Sequence, residues 1–169
     1  MYSITEEEKL KVGVVEVIQD INQYSQFRNF EIEGILHAWN ESKKSDNLSF
    51  EDYMEQQGQQ FIDNAWTYLR REDDSIHIIF IGKECGKYTG LTTVNQTITD
   101  IIPPPNGNSV EKLVRKCMDD QTPMYILKTM QWQNQATILY ETLFLPLKSD
   151  PQSDQCDYSL SFLFFESQL

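Results

Sequence analysis

The residues able to do chemistry in this chain are few, and their spacing suits little of it. Cys85, Cys117 and Cys156 are an odd number of cysteines set far apart, with no Cys-x-x-Cys pair. That pattern argues against a disulfide framework or a zinc knuckle and for reduced thiols. His37 and His77 are the only histidines. A zinc site needs more nitrogen or sulfur ligands at close spacing, and His77 falls on a predicted strand, an unpromising place for a haem ligand. The protein is therefore expected to carry no metal and no coloured cofactor. Asp73-Asp74 and Asp119-Asp120 are pairs that could serve acid–base chemistry or hold Mg²⁺, but both fall where aspartate is ordinary turn or helix-end chemistry. No Gly-x-Ser-x-Gly and no cysteine–histidine pairing supports a nucleophile. The segment Gly82-Lys83-Glu84-Cys85-Gly86-Lys87-Tyr88-Thr89-Gly90 lacks the spacing of a phosphate loop. The most unusual residue is Glu141, placed between Tyr140 and Leu143 on an apolar strand. It is either a polar group that fixes a ligand in a pocket or a residue facing out of the sheet. The alternation of Tyr140, Thr142 and Phe144 favours the second reading.

The elements that must position these residues divide the chain in two. The first part reads as helical. Glu6 to about Gln26 is predicted as a helix capped by Ser3 or Thr5, with Leu10, Val14, Val17, Ile18 and Ile21 on one face. Phe30 to Trp39 or Lys43 is a second helix, with Ile32, Ile35, Leu36 and Trp39 aligned. Ser49 followed by Asp52 opens a third, running to about Asp63. The pattern then changes. Ala65–Arg71 and Ser75–Ile81 form a predicted hairpin around Glu72-Asp73-Asp74. Short helices follow Gly82, broken at Gly86 and Gly90. A stiff Pro103-Pro104-Pro105 loop comes next, then a helix from Ser109 to about Asp119. Three more strands, roughly Met124–Trp132, Ala136–Leu147 and Tyr158–Glu166, end the chain. Hairpin, helices and meander in that order predict an α+β fold: a five-stranded antiparallel sheet with helices on one face, preceded by an N-terminal helical region. The expected division is 1–63 for the N-terminal helical extension and 64–169 for the sheet domain.

Composition narrows the function class. The 169 residues are 40% apolar and 12% aromatic, too apolar for a disordered chain and ample for a core without staples. No apolar run approaches the roughly 20 residues of a membrane helix, and Met1–Glu8 has no basic-then-apolar leader pattern. A formal net charge of −12, with no basic cluster longer than a pair, opposes binding to nucleic acid or anionic membranes. A cytoplasmic location is expected.

The element order resembles that of PAS domains, and short motifs add to it. Ile79-Phe80-Ile81-Gly82 running into Cys85-Gly86-Lys87-Tyr88-Thr89-Gly90 is similar to a PAS second strand entering its short helices, and Ile98-Thr99-Asp100-Ile101 to the segment after them. Leu139-Tyr140-Glu141-Thr142-Leu143-Phe144-Leu145-Pro146-Leu147 resembles the Glu-x-Leu-x-Leu-Pro-Leu stretch of small stand-alone bacterial PAS proteins common in alphaproteobacteria. In that group an aromatic and acidic helical segment precedes the core. His37-Ala38-Trp39-Asn40 and Leu48-Ser49-Phe50-Glu51-Asp52-Tyr53 would correspond. The resemblance covers about residues 35–166. Two departures are the aliphatic Ile78-Ile79-Phe80-Ile81 ahead of the glycine and a long acidic loop after Pro146. Cys85 is similar to the cysteine of flavin-binding light sensors but stands too early, and the Asn and Gln residues that grip the flavin are not evident in the later strands.

The resemblance implies a spatial strand order of 2-1-5-4-3 and a non-catalytic sensory or adaptor module that binds a small ligand or a protein and signals to an output partner in trans. Placing faces on the PAS pattern gives Ile79, Ile81, Tyr88, Leu113, Cys117, Tyr125, Tyr140 and Phe144 as the expected pocket walls. The resemblance also implies dimerisation through an amphipathic helix ahead of the core. The stripe Leu10, Val14, Val17, Ile18 and Ile21 is the expected homodimer interface, the competing arrangement being a helix packed on its own sheet. The alternative function is a small enzyme or carrier on a cone-shaped, ketosteroid-isomerase-like α+β fold, which would need a buried acid inside the cone.

Overall fold

The computed structural model describes residues 14–18, 27–43, 49–130 and 138–166. Its centre is one antiparallel sheet. The strands in chain order are β1 (Val14–Ile18), β2 (Ala65–Arg70), β3 (Ile76–Ile81), β4 (Gln96–Thr97), β5 (Met124–Met130), β6 (Ile138–Leu147) and β7 (Tyr158–Glu166). The helices are α1 (Phe30–Lys43), α2 (Phe50–Gln56), α3 (Lys83–Thr89), α4 (Ile98–Ile101) and α5 (Asn106–Asp120), with a 3₁₀ segment over Gly58–Asn64. Spatially the strands run β1-β5-β6-β7-β2-β3-β4. The inner five are thus β3-β2-β7-β6-β5, which is the order implied by the PAS resemblance. The sheet exceeds the expected five strands because β1 joins the β5 edge and the two-residue β4 joins β3.

β1 corrects the predicted first helix. Val14, Val17 and Ile18 belong to a strand paired antiparallel with β5 (Val17↔Ile126, Ile18↔Tyr125), so they do not form the helical dimer stripe. Leu10 and Ile21, the other members of that stripe, lie outside the described residues. A short apolar run at three- and four-residue spacing also satisfies a strand, and Val14-Val15-Glu16-Val17-Ile18 is almost wholly β-branched. Pairing β5 covers an edge that would otherwise offer unpaired backbone groups.

Both faces of the sheet are buried, which explains why β6 and β7 read as nearly continuous apolar runs. Over one face lie α3, α4 and α5. Their Cys85, Ile98, Leu113, Val114, Cys117 and Met118 pack with Trp66, Tyr68, Ile76, Ile78, Met124, Ile126, Phe144 and Leu163 of the strands. Over the other lie α1 and α2, so helices cover both faces rather than one. Ile32, Ile35, Leu36 and Trp39 of α1 recur at the expected spacing and pack with Tyr125, Leu143, Leu145, Phe162 and Phe164. Asn29 caps α1, its Oδ1 accepting from the Glu31 amide at 2.9 Å. Trp39 Nε1 donates to the Pro146 carbonyl at 3.3 Å, tying this helix to β6. Ser49 caps α2 as its spacing to Asp52 predicts: the Asp52 amide donates to Ser49 Oγ at 3.1 Å, and Oγ donates to Asp52 Oδ2 at 3.0 Å.

The helix expected from Ser109 begins at Asn106 instead. Gly107 permits this early start, because a Cβ there would collide with the Ile102 carbonyl oxygen and crowd Thr99 Cα. Both obstacles are backbone, so neither can rotate away. Gly107→Ala is expected to lower the unfolding free energy by roughly 2–3 kcal/mol, read from denaturant unfolding. An alanine variant as stable as the parent would show that α5 can move off α4 freely.

Candidate functional site

The face under α3–α5 gathers most of the expected pocket residues. Leu113 and Cys117 come from α5 and Phe144 from β6, all buried, with Ile81 and Tyr140 packed at the margin of the same cluster. Tyr88 of α3 joins through aromatic contacts. Its ring stacks on Phe165 at 4.5 Å between centroids, and Phe165 stacks on Tyr140 at 5.6 Å.

Two expected residues do not belong there. Tyr125 projects to the α1 side, while its neighbours Met124 and Ile126 face α3–α5. A placement one residue out inverts a strand face. Ile79 fails for a different reason. The β2–β3 register slips between Thr67↔Phe80 and Tyr68↔Ile78, leaving Ile79 as the extra residue of a bulge. The bulge resets the alternation, so Ile78 and Ile81 both reach the interior and Phe80 is left exposed.

Three groups on the α3–α5 face were not anticipated. Trp66 and Ser161 stand directly opposite one another on β2 and β7 and are 3% and 0% exposed. Among the described residues neither Trp66 Nε1 nor Ser161 Oγ has a hydrogen-bond partner. Two buried donors side by side without acceptors are unusual, since such groups are nearly always satisfied. The third group is Lys128, 8% exposed. It continues the Met124, Ile126 side of β5 and stands opposite Tyr140 of β6. Burial lowers its pKa from 10.5 to about 8. A sequence signal for it exists: a lysine occupies the next inward position of a strand whose previous two inward residues are apolar.

Glu141 faces away from the α3–α5 side, as the alternation predicts, but that direction is not solvent. It is 1% exposed. Tyr125 Oη donates to its Oε1 at 2.7 Å, the Arg28 amide donates to the same oxygen at 2.5 Å, and the Asn29 amide donates to Oε2 at 2.8 Å. The carboxylate therefore anchors the start of α1 to the sheet. Arg28 continues outward as a bidentate pair with Glu166, 2.6 Å and 2.8 Å, and that partner holds the Glu166 carboxyl below its ordinary range.

The remaining candidates have structural partners. Cys85 lies in the core, where burial pushes its thiol up to about 12, so it is protonated and unreactive at neutral pH. The acidic pairs are joined by arginines: Arg70 contacts Asp119 at 2.6 Å, and Arg115 contacts Asp74 at 3.0 Å and Glu111 at 2.9 Å. These pairs bind α5 to the β2–β3 turn. Asp73 accepts from Ser75 at 2.6 Å in the same turn, which lowers its pKa. His77 Nε2 lies 2.9 Å from Ser75 Oγ, and His37 is exposed on α1. Among the described residues no group of three or more His, Cys, Asp or Glu is assembled, and no helix is long and apolar enough to cross a membrane.

No family model matches the chain, and no curated protein resembles it in sequence. Among solved structures, an RNA-binding light-oxygen-voltage receptor aligns over 63% of this chain at 9% identity with a TM-score of 0.42. The aligned region spans 31% of that receptor's own length. A fungal LOV domain photoreceptor aligns over 85% of this chain and 95% of its own at 14% identity, with a TM-score of 0.44.

Proposed function

We propose that this chain is a non-catalytic sensory or adaptor domain that holds a small ligand between its sheet and α3–α5 and reports occupancy to a protein partner in trans. The carrying observation is the Trp66–Ser161 pair. Two adjacent buried donors beside an apolar cluster are costly unless an acceptor completes them. A carbonyl or ring-nitrogen acceptor on a small molecule would do so, and the surrounding Ile78, Ile98 and Phe144 suit its apolar body. The strands that carry this pair also reach the opposite face. β7 presents Ser161 on one side and Phe162 on the other, and β2 presents Trp66 on one side and Ala65 on the other. Occupancy would therefore bias the sheet that α1 rests on, and a shift in α1 docking is the signal a partner would read. The cone-shaped enzyme reading is less well supported. It needs an available acid inside the fold, and Glu141 is committed to three donors on the side away from the candidate site.

Trp66→Phe combined with Ser161→Ala tests this reading. With no ligand bound, the double variant is expected to stay within about 2 kcal/mol of the parent, because removing two unmet donors offsets the space left by the smaller ring in place of Trp66. Native mass spectrometry of protein from the cells that make it is expected to show a bound small molecule in the parent and none in the variant. A variant that loses more than about 2 kcal/mol would show instead that the pair has an internal structural role.

A further inference from the structure

We infer that Lys128, together with the aromatic row Tyr140–Phe165–Tyr88, forms an acid-recognising end of the ligand site, so that the ligand is a monocarboxylic acid with an apolar or aromatic body. This rests on the ligand-binding reading above and adds the chemical class.

The carboxylates nearest Lys128 in the sheet point away from it. Tyr140, Lys128 and Phe165 lie in one cross-strand row, Lys128↔Tyr140↔Phe165. The acids next to them in sequence are Glu141 and Glu166. Strand alternation sends Glu141 to the opposite face, where it accepts from Tyr125, Arg28 and Asn29. Glu166, equally one residue out of the row, is paired with Arg28. Both of these neighbouring acids are thus turned away from Lys128 and already engaged. Among the described residues no ion pair or hydrogen bond reaches the Lys128 ammonium, and desolvation is the sole cause acting on its pKa.

A lysine nine-tenths buried without a counter-charge is a poor element of a finished core. Beside a flat aromatic wall it makes a good receptor for a carboxylate whose apolar remainder lies along the rings. Tyr88 ties the row to α3: its ring is nearly parallel to that of Phe165, 17° between planes. An acid held there would contact both the sheet and a helix that closes over it.

The test uses the full chain and two matched probe pairs: 2-naphthoate against 2-naphthamide, and decanoate against decanol. Binding is measured by calorimetry for the parent, for Lys128→Met and for the Trp66→Phe, Ser161→Ala double variant. The parent is expected to prefer each acid over its neutral counterpart by about tenfold or more, the advantage of a charge-assisted contact. Lys128→Met should reduce that preference to within about twofold while still binding the neutral probes, and the double variant should weaken acid and neutral probes alike. The two pairs also separate an aromatic acid from a fatty acid as the preferred body. A second readout needs no variant to bind. After reductive ¹³C-methylation, the NMR signal absent from Lys128→Met should titrate at higher pH when acid saturates the protein. An acid preference that survives in Lys128→Met, or its absence from the parent, overturns the inference. Equal, Trp66-dependent binding of acids and neutral probes would do so while leaving the ligand site intact. Failure of every probe to bind or to move the Lys128 titration overturns it too, and the mass measurement above then decides the broader reading independently.

Discussion

Glu141→Ala is expected to lower the unfolding free energy by about 3–5 kcal/mol, among the largest effects of any single substitution in this domain. The reason is the number of donors that converge on one buried carboxylate. Tyr125 Oη and the amides of Arg28 and Asn29 lose their acceptor together, and each buried unsatisfied donor costs about 1–3 kcal/mol. Glu141→Gln should fall between parent and alanine variant, since one amide oxygen can still accept while the new NH₂ confronts a donor. Tyr125→Phe removes only one of the three bonds and should cost about 1–2 kcal/mol. Urea unfolding of the four proteins gives the series directly. A loss below about 1 kcal/mol for the alanine variant would mean that water replaces the carboxylate at no expense. It would also remove the reason to treat this contact as the junction between the sheet and α1. Circular dichroism separates the two levels of damage: the sheet should persist in Glu141→Gln while α1 frays at its start.

What the sequence revealed and what it hid follow from the same physics. The inner five strands were legible because hairpin, helices and meander leave little freedom in how the strands pair, and β2, β3 and β7 end within a residue of their predicted limits. Helix α1 was legible down to its four buried residues, since Ile32, Ile35, Leu36 and Trp39 have one periodic solution. The capping pair Ser49 and Asp52 was equally plain. β1 was not, because a run of five residues, four of them β-branched and apolar, satisfies two periods at once. The Ile79 bulge was invisible: nothing in Ile76-His77-Ile78-Ile79-Phe80-Ile81 says which residue is extra. Coverage of the second sheet face by α1 and α2 was readable in retrospect, since β6 shows no polar alternation beyond Glu141 and Thr142. The candidate site was legible in its apolar walls and hidden in its polar groups. Apolar walls follow from pattern, whereas Trp66 and Ser161 become noteworthy only when their missing partners are seen.

The pH dependence of stability should carry the signature of Lys128. Its pKa is about 8 in the folded protein against 10.5 for the free side chain. Below pH 8 the ammonium is charged in both states, and the folded state bears the full desolvation penalty. Between pH 8 and 10.5 the unfolded chain binds more protons than the folded one, so stability rises with pH. Above that range lysine is neutral in both states and the penalty is gone. A shift of this size corresponds to a penalty on the order of 3 kcal/mol. Lys128→Met replaces the side chain with an apolar one of similar reach. It should therefore be more stable than the parent by that order at pH 7, with the gap closing as pH approaches 10.5. The comparison is best made as a difference between the two proteins. Tyr53 and Tyr140, whose hydroxyls burial pushes upward, erode stability at high pH in both proteins and cancel. An acid bound beside Lys128 would supply the missing counter-charge, raise the folded-state pKa and narrow the same gap at neutral pH. A parent protein more stable than Lys128→Met at pH 7 without any acid present would show that the ammonium already has a counter-charge inside the fold.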